Sequence, residues 1–306
     1  MDVAIAEATD LLRAVEGLSV LPGVPLAAHT SFGIGGPADL LVIPRDLAAL
    51  LRVLPRLAAR GAPVAYLGKG TNVLVGDAGV RGVVVKLSGA LMGMEAQGNE
   101  ITAWAGESLG AVCHLAAELG LSGLEFSAGI PGTVGGAALM NAGAHGGEMA
   151  QVVSWVEVAE PTGEVLRLSV EQAGFGYRRS HLRDAGRLVC RVGLQLTPGD
   201  PREVHRRVCE SLQQRAGKQP LAAHSAGCIF KRPEGDYAGR LVEAVRGKGL
   251  CVGGAMVSPK HANFIVNTGQ ARARDVLELI RLVQARVREE FGVNLETEVC
   301  LLGEGF

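Results

Sequence analysis

Several features that would assign a function class at once are missing. No basic excess exists: Lys and Arg number 30 against 31 Asp and Glu, for a formal net charge of −1. Binding to a nucleic-acid backbone by bulk charge is therefore excluded, and no nucleic-acid partner is expected. Mean hydropathy is positive at +0.24, yet no run of 18 uncharged apolar residues occurs, which excludes a transmembrane helix and leaves no membrane partner to expect. The six cysteines stand at 113, 190, 209, 228, 251 and 300. None forms Cys-x-x-Cys, so zinc-ribbon and thioredoxin readings fail, and no metal is expected. The first residues, Met1 to Glu7, bring early acids and no basic stretch before an apolar run. No signal peptide is expected from them, and a reducing cytoplasmic setting with free thiols follows. Repeats, low-complexity tracts and coiled-coil heptads are absent as well.

What is present is a 306-residue chain, 48% hydrophobic and 20% charged. That is a globular composition with enough length for two domains or one large one. Glycine is the outlier. There are 43, about twice the usual share, and twenty of them fall between Gly61 and Gly147. A local excess of this kind suits a backbone that a ligand must approach closely, with genomic bias as the alternative.

The pattern predicts helices over 2–16, 46–60 (capped by Asp46 and interrupted near Pro55), 108–119 (stopped by Gly120), 202–216 and 271–291 (stopped by Gly292). Strands are expected at 38–43, 64–67, 73–75, 83–85, 152–158, 165–168, 188–196 and 295–302. Thr197-Pro198-Gly199-Asp200-Pro201 punctuates the chain. The expected organisation is a lead-in over 1–26, a glycine-rich domain over 27–198 and a smaller α+β domain over 199–306.

Two segments could hold a phosphate-bearing cofactor. The first, Gly68-Lys69-Gly70-Thr71-Asn72, follows a strand and could form an anion nest or a simple tight turn. It has neither the Rossmann spacing nor the Walker A lysine. The second runs Gly129-Ile130-Pro131-Gly132-Thr133-Val134-Gly135-Gly136 and on through Asn141 and Gly143. Pro131 suits the first turn of a short helix whose N–H groups would face an anion. Gly135 and Gly136 cost that helix ~1 kcal/mol each, which points to close packing. Two such loops about 60 residues apart suggest one long ligand carrying a pyrophosphate.

With these segments, the runs His29-Thr30-Ser31-Phe32-Gly33-Ile34-Gly35-Gly36, Tyr177-Arg178-Arg179-Ser180, Ser225-Ala226-Gly227-Cys228-Ile229-Phe230-Lys231, Lys260-His261-Ala262-Asn263 and Glu296-Thr297-Glu298-Val299 occur in an order that resembles the UDP-N-acetylenolpyruvoylglucosamine reductase family. The resemblance covers nearly the whole chain. It implies an α+β fold with a two-subdomain FAD-binding domain of the vanillyl-alcohol oxidase (PCMH) type and a C-terminal substrate-binding domain. The short connection after Tyr177 matches the family type that lacks an extra tyrosine-bearing loop.

The implied activity is reduction of UDP-N-acetylglucosamine enolpyruvate, with NADPH as hydride donor, in peptidoglycan precursor synthesis. FAD would be non-covalent, because residues 68–72 contain no His or Cys to attach it. A UDP-sugar is the implied partner, and a monomer is expected. The alternatives are another FAD-linked oxidoreductase of the same fold, or a flavin-binding protein without turnover. Arg178 matches the family's arginine for the enolate-like charge that builds beside the substrate carboxylate; its guanidinium stays charged at any working pH. Cys228 stands where the family commonly has its proton-donating serine. A thiol is the stronger acid, and is mostly protonated at neutral pH. Strand alternation places Glu296 and Glu298 on one face and cannot choose between them; the resemblance favours Glu298. Tyr177, Lys218, Lys231, His261 and Asn263 are the implied substrate contacts. His261 could equally be a core histidine, and Arg232 stands where many members have asparagine.

Overall fold

Helices begin and end where the sequence supplies caps. In this computed structural model, which describes residues 3–183 and 186–306, Asp46 caps the helix Leu47–Ala58 by accepting from Ala49 N at 2.7 Å. Gly120 and Gly292, at φ +65° and +69°, follow the helices Leu109–Glu118 and Ala273–Phe291, in the left-handed conformation that ends a helix most readily at glycine. The N-terminal helix covers Val3–Arg13; Asp2, where it was expected to begin, lies outside the described residues. The expected break at Pro55 does not occur. Pro55 cannot serve the Leu51 carbonyl one turn back, but it sits in the last turn, and the hairpin turn at Gly163 packs over both residues.

Contacts divide the chain into two units that differ from the linear division expected above. The first comprises Met1–Pro22, Leu40–Lys69 and Gly82–Arg215, and the second Gly23–Asp39, Gly70–Arg81 and Ala216–Phe306. The 199 boundary moves to 215/216 because Gly199 N bonds the Gly120 carbonyl at 2.8 Å and Thr197–Pro198 pairs with Leu121–Ser122. These contacts pin the start of the helix Pro201–Lys218 to the first unit.

The first unit has two cores. One packs the apolar faces of Val3–Arg13 and Leu47–Ala58 against a sheet ordered Leu18–Pro25, Pro37–Pro44, Val80–Lys86, Val64–Leu67. There Val64–Leu67 runs parallel to Val80–Lys86, with Leu67 opposite Lys86. The other lies under an antiparallel sheet ordered Val165–Ser169, Val153–Ala159, Leu188–Gln195, Glu100–Trp104, Met94–Gln97. The helices Leu109–Glu118 and Val134–Leu139 contribute their apolar faces to it.

The second unit is built on an antiparallel sheet ordered His224–Cys228, Phe264–Asn267, Ala255–Val257, Cys251–Val252. The helix Ala273–Phe291 buries Val276, Leu279, Ile280, Val283 and Val287 in this unit's core, the face that its spacing predicts. The last stretch is strand only over Cys300–Leu302, parallel to Val73–Val75. Just before it, Thr297 bridges Phe230. The stretch changes partner between these points, and that breaks the single strand expected over 295–302.

Candidate functional site

The two glycine segments meet in the first unit. A Cβ on Gly68 would stand 2.5 Å from Thr133 Oγ1, so only glycine lets the first loop lie this close to the second. Lys69 Nζ donates to Ser108 Oγ at 3.0 Å. Ser108 in turn bridges Thr133. From the neighbouring strand, Lys86 Nζ donates to the Gly68 carbonyl at 2.8 Å. Lys86 is only 9% exposed, and burial lowers its pKa to about 8.

The second segment differs from the expected helix terminus. The helix is Val134–Leu139, with Thr133 as its cap and Pro131 outside it. Its first N–H groups are already engaged: Val134 N with Glu107 O, Gly135 N with Ala105 O and Gly136 N with Thr133 Oγ1. The expected use of these groups against an anion is therefore corrected. Gly135 serves packing, since its Cβ would lie 2.7 Å from that of Ala105. Gly136 is exposed, and a Cβ there would meet only Thr133 Oγ1 at 3.4 Å. Gly129 and Gly132 hold φ of +73° and +150° in the loop before the helix, beside Ile130 and Pro131.

Arg178 is placed by this same segment. Gly176 and Arg179 close a tight turn through paired backbone bonds, with Tyr177 and Arg178 at its tip. Arg178 adopts φ +55°, a conformation that non-glycine residues rarely take and that strained functional turns often use. Three bonds tie the turn to residues 139–143: Ser180 Oγ to Leu139 O, Asn141 Nδ2 to Gly176 O, and Arg178 Nη2 to Gly143 O. Asn141 is fully buried, and its Oδ1 accepts from Ala150 N at 2.9 Å. Both ends of its amide thus hold backbone, so the side chain clamps the turn to this segment. Tyr177 is half exposed, with the Arg178 guanidinium 5.4 Å from its ring centre.

The chain enters the second unit at Gly70, whose φ is +66°. A Cβ there would be 2.6 Å from the His29 carbonyl. The Gly70 carbonyl accepts from Ser31 N, and Ser31 Oγ donates to the Ser225 carbonyl. The His29–Ser31 run therefore fastens the first glycine loop to the strand that ends in Cys228. That strand bulges between Ser225 and Cys228, with Gly227 at φ +75° and its would-be Cβ 4.0 Å from Thr71 O. Cys228 is half-buried opposite Phe264.

Glu298 N bonds Ile229 O at 2.7 Å, and Asn72 Nδ2 donates to the Glu298 carbonyl at 3.2 Å. Thr71–Asn72, Gly227–Cys228 and Glu298 thus form one neighbourhood. Glu296 differs from Glu298: it is exposed and paired with Lys231 at 3.1 Å. Alternation alone could not separate the two glutamates; their partners do.

Two of the expected substrate contacts, Asn263 and His261, also have partners within this unit. Asn263 is buried, its Nδ2 donating to Phe230 O and its Oδ1 accepting from Phe230 N, both at 2.9 Å. His261 Nδ1 accepts from Asn263 N, and its ring meets Phe264 edge-on at 4.9 Å. Burial lowers the His261 pKa. Lys218 is exposed at the end of its helix. Among the described residues, no group of three His, Cys, Asp or Glu could hold a metal ion. Lys86 escaped the sequence reading, and Thr133 and Ser31 entered it only as members of longer runs, because each acts on a backbone atom that no motif encodes.

Comparison with known proteins is consistent with this arrangement. The family model for the C-terminal domain of UDP-N-acetylenolpyruvoylglucosamine reductase matches residues 219–302, and an FAD-binding domain model matches residues 38–169. The reductase of Caldanaerobacter subterraneus is 46% identical over 280 residues, 92% of each chain. That of Anaeromyxobacter dehalogenans is 46% identical over 298 residues, 96% of this chain and 89% of the other. The chain belongs to the UDP-N-acetylenolpyruvoylglucosamine reductase family. The crystal structure of the reductase from Thermus caldophilus, 43% identical, superposes with a TM-score of 0.81 over 93% of this chain and 99% of that one. The α+β fold with an FAD-binding domain and a C-terminal reductase domain, and membership of an oxidoreductase family, are thereby established. As a member of the reductase family, this chain carries Cys228 at the bulge where the resemblance leads one to expect serine.

Proposed function

We propose that the chain reduces UDP-N-acetylglucosamine enolpyruvate to UDP-N-acetylmuramate, with NADPH as donor and FAD bound non-covalently, as a cytoplasmic monomer supplying a peptidoglycan precursor. The observation that carries this reading is the Arg178 turn, held in a strained conformation on the second glycine segment by three hydrogen bonds. FAD fits the residues present. Gly68 and Gly70 leave no room for side chains, Gly136 leaves open space, and residues 68–72 contain no nucleophile for a covalent link. Gly68, Gly70, Thr71, Gly129, Gly132 and Gly136 would hold it. When bound, FAD supplies the hydride-carrying chemistry between donor and enolpyruvyl group.

The protein's own part is charge, orientation and a proton. Arg178 meets the substrate carboxylate and the negative charge that builds next to it, and its clamp spares reorganisation during the reaction. Cys228 Sγ delivers the proton to carbon. Glu298, its backbone held by Ile229 and Asn72, brings a carboxylate to the same neighbourhood to orient the proton donor and the intermediate. Lys231 can exchange its exposed Glu296 partner for a substrate phosphate at little cost, since such pairs are worth at most about 1 kcal/mol.

Stopped-flow absorbance tests this in two halves. NADPH should bleach the flavin in wild type and in Cys228→Ala alike. Reoxidation by the UDP-sugar should slow by ~10²–10⁴ in the alanine variant and recover in Cys228→Ser. Wild-type flavin that NADPH does not reduce, or that the UDP-sugar does not reoxidise, would overturn the assignment.

A further inference from the structure

We propose that Lys86 is a positioning residue for the cofactor: its ammonium holds the Gly68 carbonyl and thereby sets the first glycine loop to receive the diphosphate of FAD. This rests on the flavin reading above. In a trans peptide the carbonyl and the following N–H point opposite ways. Drawing the Gly68 carbonyl onto Lys86 Nζ at 2.8 Å therefore turns the Lys69 N–H to the other side of the loop. The parallel register sets Lys86 opposite Leu67, so the ammonium meets the loop at its first residue. On the other flank, Gly68 already touches Thr133. The peptide is fixed from both sides.

Charge supports the same end. Lys86 lies behind the peptide, and Lys69 reaches past it to Ser108. Two ammonium groups thus flank one short loop, as a dianionic diphosphate requires. Glu107, on the segment that leads to Ser108, is engaged by backbone: its oxygens accept from Ser108 N and Gly93 N. A buried ammonium is a costly way to end a strand; desolvation draws its pKa down to about 8.

The test is FAD titration of the apoprotein, read by quenching of flavin fluorescence, together with thermal unfolding of the same apoprotein. In Lys86→Met the Kd for FAD should rise about 10- to 100-fold, the usual worth of a hydrogen bond to a charged group. The apoprotein Tm, read alongside, tells a loss of affinity from a loss of fold. Lys86→Arg should restore affinity to within a few-fold. A Kd for Lys86→Met equal to wild type overturns the inference, as does an apoprotein Tm that falls with no change in Kd. If Lys86→Met does not fold, Lys86→Gln, whose shorter side chain withdraws the donor from the Gly68 carbonyl, should still lose affinity; wild-type affinity there overturns the inference too. Wild-type apoprotein that binds no FAD would bring down the flavin reading itself, which is a different result from a wild type that binds and a variant that binds equally well.

Discussion

Replacing Asn141 with alanine distinguishes a clamp from a ligand. The side chain is fully buried and spans two backbone groups, Gly176 O and Ala150 N, at 3.0 and 2.9 Å. Its truncation leaves one acceptor and one donor unmet in a dry site, at about 1–3 kcal/mol each. The residue also holds φ +42°, which asparagine tolerates better than alanine. Together these give a loss on the order of 2–5 kcal/mol in the stability of the apoprotein, readable as a shift in urea midpoint with an unchanged slope. Turnover with the UDP-sugar should fall at least tenfold, because the turn bearing Arg178 loses one of its three ties. The Kd for FAD should stay within about twofold, a change worth less than half a kcal/mol. Asn141→Asp should behave similarly at neutral pH, where a carboxylate oxygen would face the Gly176 carbonyl, and should regain part of the loss in acid, where the protonated group can donate again. Apoprotein as stable as wild type, combined with a raised Kd for FAD, would refute the clamp and restore Asn141 as a cofactor contact.

The two glutamates should part company: Glu296→Gln loses only an exposed ion pair and should keep turnover within about twofold. Glu298→Gln should slow flavin reoxidation by at least ~10² while leaving reduction by NADPH intact; the reverse pattern would reject the assignment. Cys190 is fully buried, and burial, followed by nearby Glu157, pushes its pKa from 9.0 up to about 12. Above about pH 9 the unfolded chain has released a proton that the native thiol retains, so stability falls with rising pH by up to about 1.4 kcal/mol per unit. Denaturant midpoints measured from about pH 8 to about pH 10.5 should fall less steeply in Cys190→Val than in wild type, and equal slopes would count against the buried-thiol account.

Much of the fold was legible because its signals are local. The apolar stripe from Val276 to Val287 repeats at helical spacing, Asp46 is a strong cap, and Gly120 and Gly292 take conformations that few other residues accept. Leu18–Pro25 was not legible as a strand: Pro22, Gly23 and Pro25 interrupt it, and only pairing with Pro37–Pro44 makes it one. Residues 295–299 alternate like a strand but take successive partners, which no pattern within them reveals. The chemistry of the site was readable only through motif order. The division of labour among its asparagines was not. Asn72, Asn141 and Asn263 look alike as polar residues near glycine or histidine, yet each holds a backbone group contributed by a distant segment. Sequence names the donor and acceptor; only the folded chain shows which carbonyl arrives to meet them.

The pairing of Val73–Val75 with Cys300–Leu302 bears on the order of assembly. Asn72 and Cys300 are 228 positions apart, so the early stretch must wait for that length of chain to leave the ribosome before its neighbour exists. Closing so long a loop adds little to the entropic penalty beyond that of a medium one, but it places the event late. The Asn72 side chain that holds the Glu298 carbonyl gains its partner only with this final closure, so a nascent chain can complete most of its first unit well before this part of the second unit is set.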